Sequence, residues 1–255
     1  MNKKISRRTF IKQFSLFSLA FMGFYNMLLA AEKGLGLVKQ KVPLIPDPNG
    51  ILKLAKGFRY DIISKKGHIM SDGLPVPDHA DGMGSFKGSN GKIILIRNHE
   101  IGHLYKLDKL LNLNPMYNYK DFIEKNKHNF YDLGKNSDNP CCGGTTTIVY
   151  NPKSRKVEKE FLSLSGTLIN CSGGPTPWGT WISCEETVSS MGNGGLQKNH
   201  GYNFEVIPSE NMKFNKAIPL KSMGRFRHEA VAIDPNTKIA YQTEDRDDGL
   251  IYRFI

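Results

Sequence analysis

Apolar and polar residues alternate over short runs, and clusters of Gly, Pro, Asn, Asp and Ser separate those runs, which predicts many short strands joined by turns. A Pro-rich extended lead-in over Val42 to Asn49 precedes a first expected strand, Gly57 to Ser64. Three hairpins follow. Asp81-Gly82-Met83-Gly84-Ser85-Phe86 turns through Gly-Ser-Asn-Gly into Lys92 to Glu100. Gly173 to Thr180 leads into Trp181-Ile182-Ser183-Cys184-Glu185-Glu186, and Arg227 to Asp234 leads through a Pro-Asn turn into Lys238 to Asp245. Outer strands are expected at Thr145–Tyr150, Lys156–Leu162, Tyr202–Ile207 and Leu250–Phe254. The predicted class is all-β.

Small antiparallel units that each present an inner hairpin are the signature of a β-propeller. The units are unevenly spaced, so insertions are expected, the clearest at 103–140. There Lys106, Lys109, Lys120, Lys125 and Lys127 interleave with Tyr105, Tyr117 and Tyr119, the composition of a solvated excursion. Three inner hairpins do not close a ring, since a propeller needs about four or more blades. The chain therefore reads as cut short at its C-terminal end.

Charge changes the picture only at the amino terminus. Of the formal +11, five charges come from Lys3, Lys4, Arg7, Arg8 and Lys12, which face no acid in the first thirty residues. The remainder is an ordinary basic protein, and no nucleic-acid partner is expected. Ser6-Arg7-Arg8-Thr9-Phe10-Ile11-Lys12 fits the twin-arginine export pattern, and an apolar stretch from Phe14 to Ala31 follows it. Residues 1–31 are read as a signal peptide handled by the twin-arginine machinery, and 32–255 as a partial propeller domain. The processed protein is expected to be periplasmic and monomeric, with no membrane span. That export route carries folded proteins, which makes a preloaded metal site worth seeking.

Acids recur at the ends of the inner strands: Glu100, Glu185, Glu186 and Glu244. A second set lies in the approach to each inner strand, with Asp78, His79 and Asp81, then Asn170 and Cys171, then Arg227, His228 and Glu229. Converging carboxylates without matched cations repel, and a hard multivalent ion bound through oxygen relieves this. Calcium fits such a set, and a thiolate from Cys171 adds a softer donor that admits iron. Cys171 is read as lying in an exposed Asn-Cys-Ser-Gly-Gly loop. Cys141, Cys142 and Cys184 read as core or disulfide residues, and Trp178 and Trp181 as packing between blades. No phosphate loop, dinucleotide fingerprint, serine elbow or HExxH helix is present. The expected chemistry is therefore metal-assisted hydrolysis, with Arg97, Arg227 and Arg246 as candidates to hold an anionic transition state.

The twin-arginine pattern, Arg97-Asn98-His99-Glu100, Cys142-Gly143-Gly144-Thr145-Thr146, Asn170 to Trp181 with Cys184-Glu185-Glu186, Arg227-His228-Glu229-Ala230 and Thr243-Glu244-Asp245 together resemble the PhoX-type alkaline phosphatases. The resemblance implies a six-bladed propeller, exported folded, that hydrolyses phosphate esters with iron and calcium. In that family a cysteine bridges the irons, and Cys171 looks like its counterpart. Glu186, Glu229 and Glu244 look like family ligands, with Glu100 beside them. Family members continue past the end of this sequence with further ligands and a phosphate-binding arginine. The alternative reading is a non-catalytic exported propeller that binds calcium or a surface partner.

Overall fold

The structure is a computed structural model and describes residues 43–102, 119–135 and 141–255. It divides into two units, Met1–Asp61 and Ile62–Ile255. The signal motif, its apolar stretch and most of the Lys- and Tyr-rich insertion lie outside the described residues. No helix among the described residues is long and apolar enough to cross a membrane.

In the first unit, β1 (Leu44–Pro46) pairs antiparallel with β2 (Lys53–Ala55). The Asp47 carboxylate shapes the turn by accepting the N–H groups of Asn49 and Leu52 and the Tyr60 hydroxyl. The strand expected over Gly57–Ser64 is not formed. Gly57 adopts φ +90°, a left-handed conformation that interrupts an extended run, and the pairing instead joins the Pro-rich lead-in to Lys53–Ala55.

The second unit is built of three antiparallel meanders. The first comprises β3 (Ala80–Lys87), β4 (Ile93–His99), β5 (Gly143–Asn151) and β6 (Lys156–Thr167). The second comprises β7 (Asn170–Pro175), β8 (Trp181–Glu185) and β9 (Asn203–Val206). The third comprises β10 (His228–Ile233), β11 (Ala240–Glu244) and β12 (Ile251–Phe254). Each expected hairpin and outer strand has its counterpart here, and no described sheet closes on itself.

Apolar faces bury each sheet against the next. Ile96 and Leu164 of the first meander pack with Trp181, Phe204 and Val206 of the second. Ile182 and Cys184 of the second pack with Val231 and Ala240 of the third. Trp181 thus lies between sheets, with its indole over Gly84 of β3. Trp178 does not: it is 55% exposed, and its Nε1–H donates to Glu205.

The leading strands come together backbone to backbone, and glycine makes this possible. A Cβ on Gly82 of β3 would stand 2.6 Å from the Ser172 Cα on β7. One on Gly174 of β7 would stand 1.8 Å from the Val231 carbonyl oxygen on β10. The described end of the insertion is not a solvated excursion. It forms α1 (Tyr119–Asn126), and Tyr119, Ile123 and Phe130 bury against Met70, Leu74, Val76, Cys142 and Leu162. Tyrosines read as surface residues can equally supply an apolar body to a core.

Candidate metal centre and active site

The three leading strands share one irregularity. The ladder slips between Ala80 and Met83 on β3, between Asn170 and Gly173 on β7, and between His228 and Val231 on β10. A bulge frees a residue from pairing and re-aims its side chain. The first residues inside the three bulges are Asp81, Cys171 and Glu229.

A second triple follows from the partner strands. The N–H of Glu100 donates to the His79 carbonyl, that of Glu186 to Ile169, and that of Asp245 to Arg227. Each of these three acids sits one step beyond the residue that closes the ladder, namely His99, Glu185 or Glu244. Each sheet therefore supplies one bulge residue and one acid just beyond the ladder.

These side chains meet. The Cys171 Sγ and carboxylate oxygens of Glu186 and Glu229 lie within 4.8 Å of one another. Burial raises the pKa of Glu229, and the charges of Asp245 and Asp81 add to that rise. Burial also raises Glu186, as does its hydrogen bond with Asp245, while Arg227 opposes the shift through an ion pair with Glu186. Glu100 rises through burial and the neighbouring Asp81. Burial holds the Cys171 thiol far above the ordinary thiol range, with Cys184, Glu229 and Glu186 acting in the same sense. One thiol and several crowded carboxyls whose charges oppose one another form a donor set suited to multivalent cations that accept both oxygen and sulfur.

Several expectations are corrected. Cys171 lies on β7 and is 3% exposed, not in an open loop, because the bulge gives a strand residue the irregular Gly-rich setting of a loop. Glu185 does not join the centre. As a strand residue it faces the opposite side from Glu186, where its carboxylate accepts the N–H groups of Leu168, Gly201 and Tyr202 and meets His200 Nδ1 at 2.7 Å. Glu244 pairs with His228 in the ladder and accepts the Tyr252 hydroxyl, and the neighbouring Asp245 is the residue that reaches Glu186. Arg97 is buried in the first sheet, where it donates to Glu160 and Thr146. Burial leaves Cys141, Cys142, Cys171 and Cys184 inside the protein, and Cys141, Cys171 and Cys184 are free thiols.

Arg227 reaches the centre through its ion pair with Glu186, and Arg246 lies beside it in one cavity. With Asp245, Asp247 and Asp248 they line an open cavity of about 370 Å³. Arg246 donates from Nε to Asp248, and Arg227 holds Glu186.

Asn98 was not expected, and it braces the bulge that carries Cys171. Its Nδ2 donates to the carbonyls of Cys171 and Ser172, and its Oδ1 accepts from Trp181 Nε1 and Ser183 Oγ. Asp81 and Asp245 were visible in the sequence, but only the ladder register shows which positions are equivalent across the three sheets.

No curated protein matches the chain. A family model described as alkaline phosphatase PhoX matches residues 40–255, which include every element from β1 to β12 and all the residues of the centre. The protein belongs to the PhoX family of alkaline phosphatases.

Proposed function

We propose that this chain is a metal-dependent phosphate-ester hydrolase whose ions are held by Cys171, Glu186 and Glu229, with Glu100, Asp81 and Asp245 around them. The observation that carries the reading is the meeting of a thiol and two carboxylates from β7, the end of β8 and β10 within 4.8 Å. Iron at the thiolate and calcium among the carboxylates suit this mixed donor set. Bound ions would polarise the phosphoryl oxygens and offset charge developing on them. The chain's own contributions are positional. Arg227 and Arg246 at the cavity mouth hold the anionic phosphate, and Asn98 keeps the Cys171 bulge rigid, so that little reorganisation is needed during reaction.

The three meanders, set side by side through their leading strands, are read as blades of a propeller. Residues 1–31 are read as a twin-arginine signal that directs the domain at 32–255 to the periplasm, where it acts as a monomer.

Metal analysis and hydrolysis of a chromogenic phosphate monoester test the assignment. Wild-type protein is expected to contain iron, and Cys171→Ala to lose that iron together with more than about tenfold of the activity, about 1.4 kcal/mol. Iron-free wild-type protein, or activity undiminished in Cys171→Ala, would sink it.

A further inference from the structure

Behind the centre, on the opposite side of Glu185, lies a second convergence that the phosphatase reading does not use. Asp132, Cys141 and His200 come from three different segments, and their donor atoms lie within 4.8 Å of one another. His200 Nε2 is 3.3 Å from Asp132 Oδ2 and faces Cys141 Sγ at 3.9 Å. Bonds of about 2.0–2.3 Å at tetrahedral angles place neighbouring donors about 3.3–3.8 Å apart. The nitrogen–oxygen separation of 3.3 Å falls in that range, and the nitrogen–sulfur separation of 3.9 Å lies just beyond it.

The supporting residues are already in place. His200 Nδ1 is fixed by the Glu185 carboxylate at 2.7 Å, the carboxylate–histidine arrangement that orients an imidazole toward a metal. Glu185 is itself fixed by three backbone N–H groups. Asp132 is oriented by the N–H groups of Gly134, Gln197 and Lys198, and Cys141 by backbone bonds to Asp132 and Gly166. The side chains of Asp132 and His200 are fully buried, and Leu168 and Leu196 pack on Cys141. A buried, preformed set of one nitrogen, one sulfur and one oxygen favours a zinc-class ion over calcium.

We propose that Asp132, Cys141 and His200 form a structural site for a zinc-class divalent cation, separate from the Cys171 centre, with Glu185 as the carboxylate that orients His200. Three protein donors leave a fourth position for water. Ligation needs a Cys141 thiolate and a neutral His200 imidazole, so binding releases protons and is favoured as pH rises. The site ties the segments around Asp132 and Cys141 to the end of β8 and to the loop leading into β9.

Cobalt(II) replaces zinc as a visible probe. Full chain stripped with chelator and titrated with cobalt is expected to develop tetrahedral d–d bands and a thiolate charge-transfer band. Both should persist in Cys171→Ser, which removes the sulfur of the other centre, and disappear when Cys141→Ser is added to that variant. Zinc content of folded Cys171→Ser protein reads the site without altering it, and one ion per chain is expected. A thiolate band that survives in the Cys171→Ser, Cys141→Ser double variant, or folded Cys171→Ser protein with neither bands nor zinc, overturns the proposal. Failure of the Cys171 centre to bind metal would leave both readouts unchanged, so the two proposals fail independently.

Discussion

Asn98 uses all four of its hydrogen-bonding positions without solvent, two on the bulge carbonyls and two on Trp181 and Ser183. Asn98→Ala would remove all four bonds and leave the buried Trp181 Nε1–H and Cys171 carbonyl without these partners, and a loss of about 2–4 kcal/mol in urea unfolding is expected. A loss below about 1 kcal/mol would mean that the bulge is held by other contacts. Its neighbour His99 is buried and neutral: its Nδ1–H donates to the Asp78 carbonyl, and its Nε2 accepts from Thr146. Burial, helped by the charge of Arg97, pushes its pKa down from 6.5 to about 3. The unfolded chain therefore takes up a proton on this residue below pH 6.5 while the folded protein does not, so this contribution is complete above 6.5 and is lost as pH falls toward 3. Urea midpoints of chelator-treated protein should drop across that window, with about 1.4 kcal/mol per pH unit coming from His99. His99→Gln should flatten the trend, and an equal slope in that variant would exclude His99 as its source.

Among the elements, the leading strands depend most on residue size. Gly174→Ala would drive a Cβ into the Val231 carbonyl, and neither backbone can yield without parting β7 from β10. Loss of soluble protein, or destabilisation beyond about 3 kcal/mol, is expected. Gly102→Ala, where a Cβ meets nothing within 4 Å among the described residues, should be nearly neutral. Equal thermal shifts in the two variants would contradict the close approach of the strands. At this scale the sequence was most legible. Alternation and turn residues located all three hairpins and their outer strands, because period-two patterning reports a half-buried sheet directly. It misled where local chemistry overrode pattern, as at Gly57, and where a bulge made strand residue Cys171 resemble a loop. Among the acids, strand ends were identified but not their facing. Choosing between Glu185 and Glu186, or between Glu244 and Asp245, requires knowing where each ladder closes, and a slip of one residue reverses every side chain.

Across the whole molecule, the centre draws one bulge residue and one acid just beyond the ladder from each of three sheets, so ions held there would join the sheets. On the proposed reading, chelation should lower the melting temperature of wild-type protein by calorimetry, because an ion bound only to the folded state stabilises it by mass action. Glu229→Gln should start from a lower melting temperature and respond less to chelator. A melting temperature indifferent to chelator in both proteins would remove ions from the account of stability. The bulges carry a further implication. A residue in a bulge does not pair across the ladder, so its identity is released from the demands of strand propensity and cross-strand matching. Asp, Cys and Glu occupy the same station in three neighbouring sheets. On the proposed reading, exchanging Asp81 or Glu229 for the other acid would alter ion preference with little demand on the ladder, whereas Cys171, packed against Ile182 and Val231, is tied to the core as well.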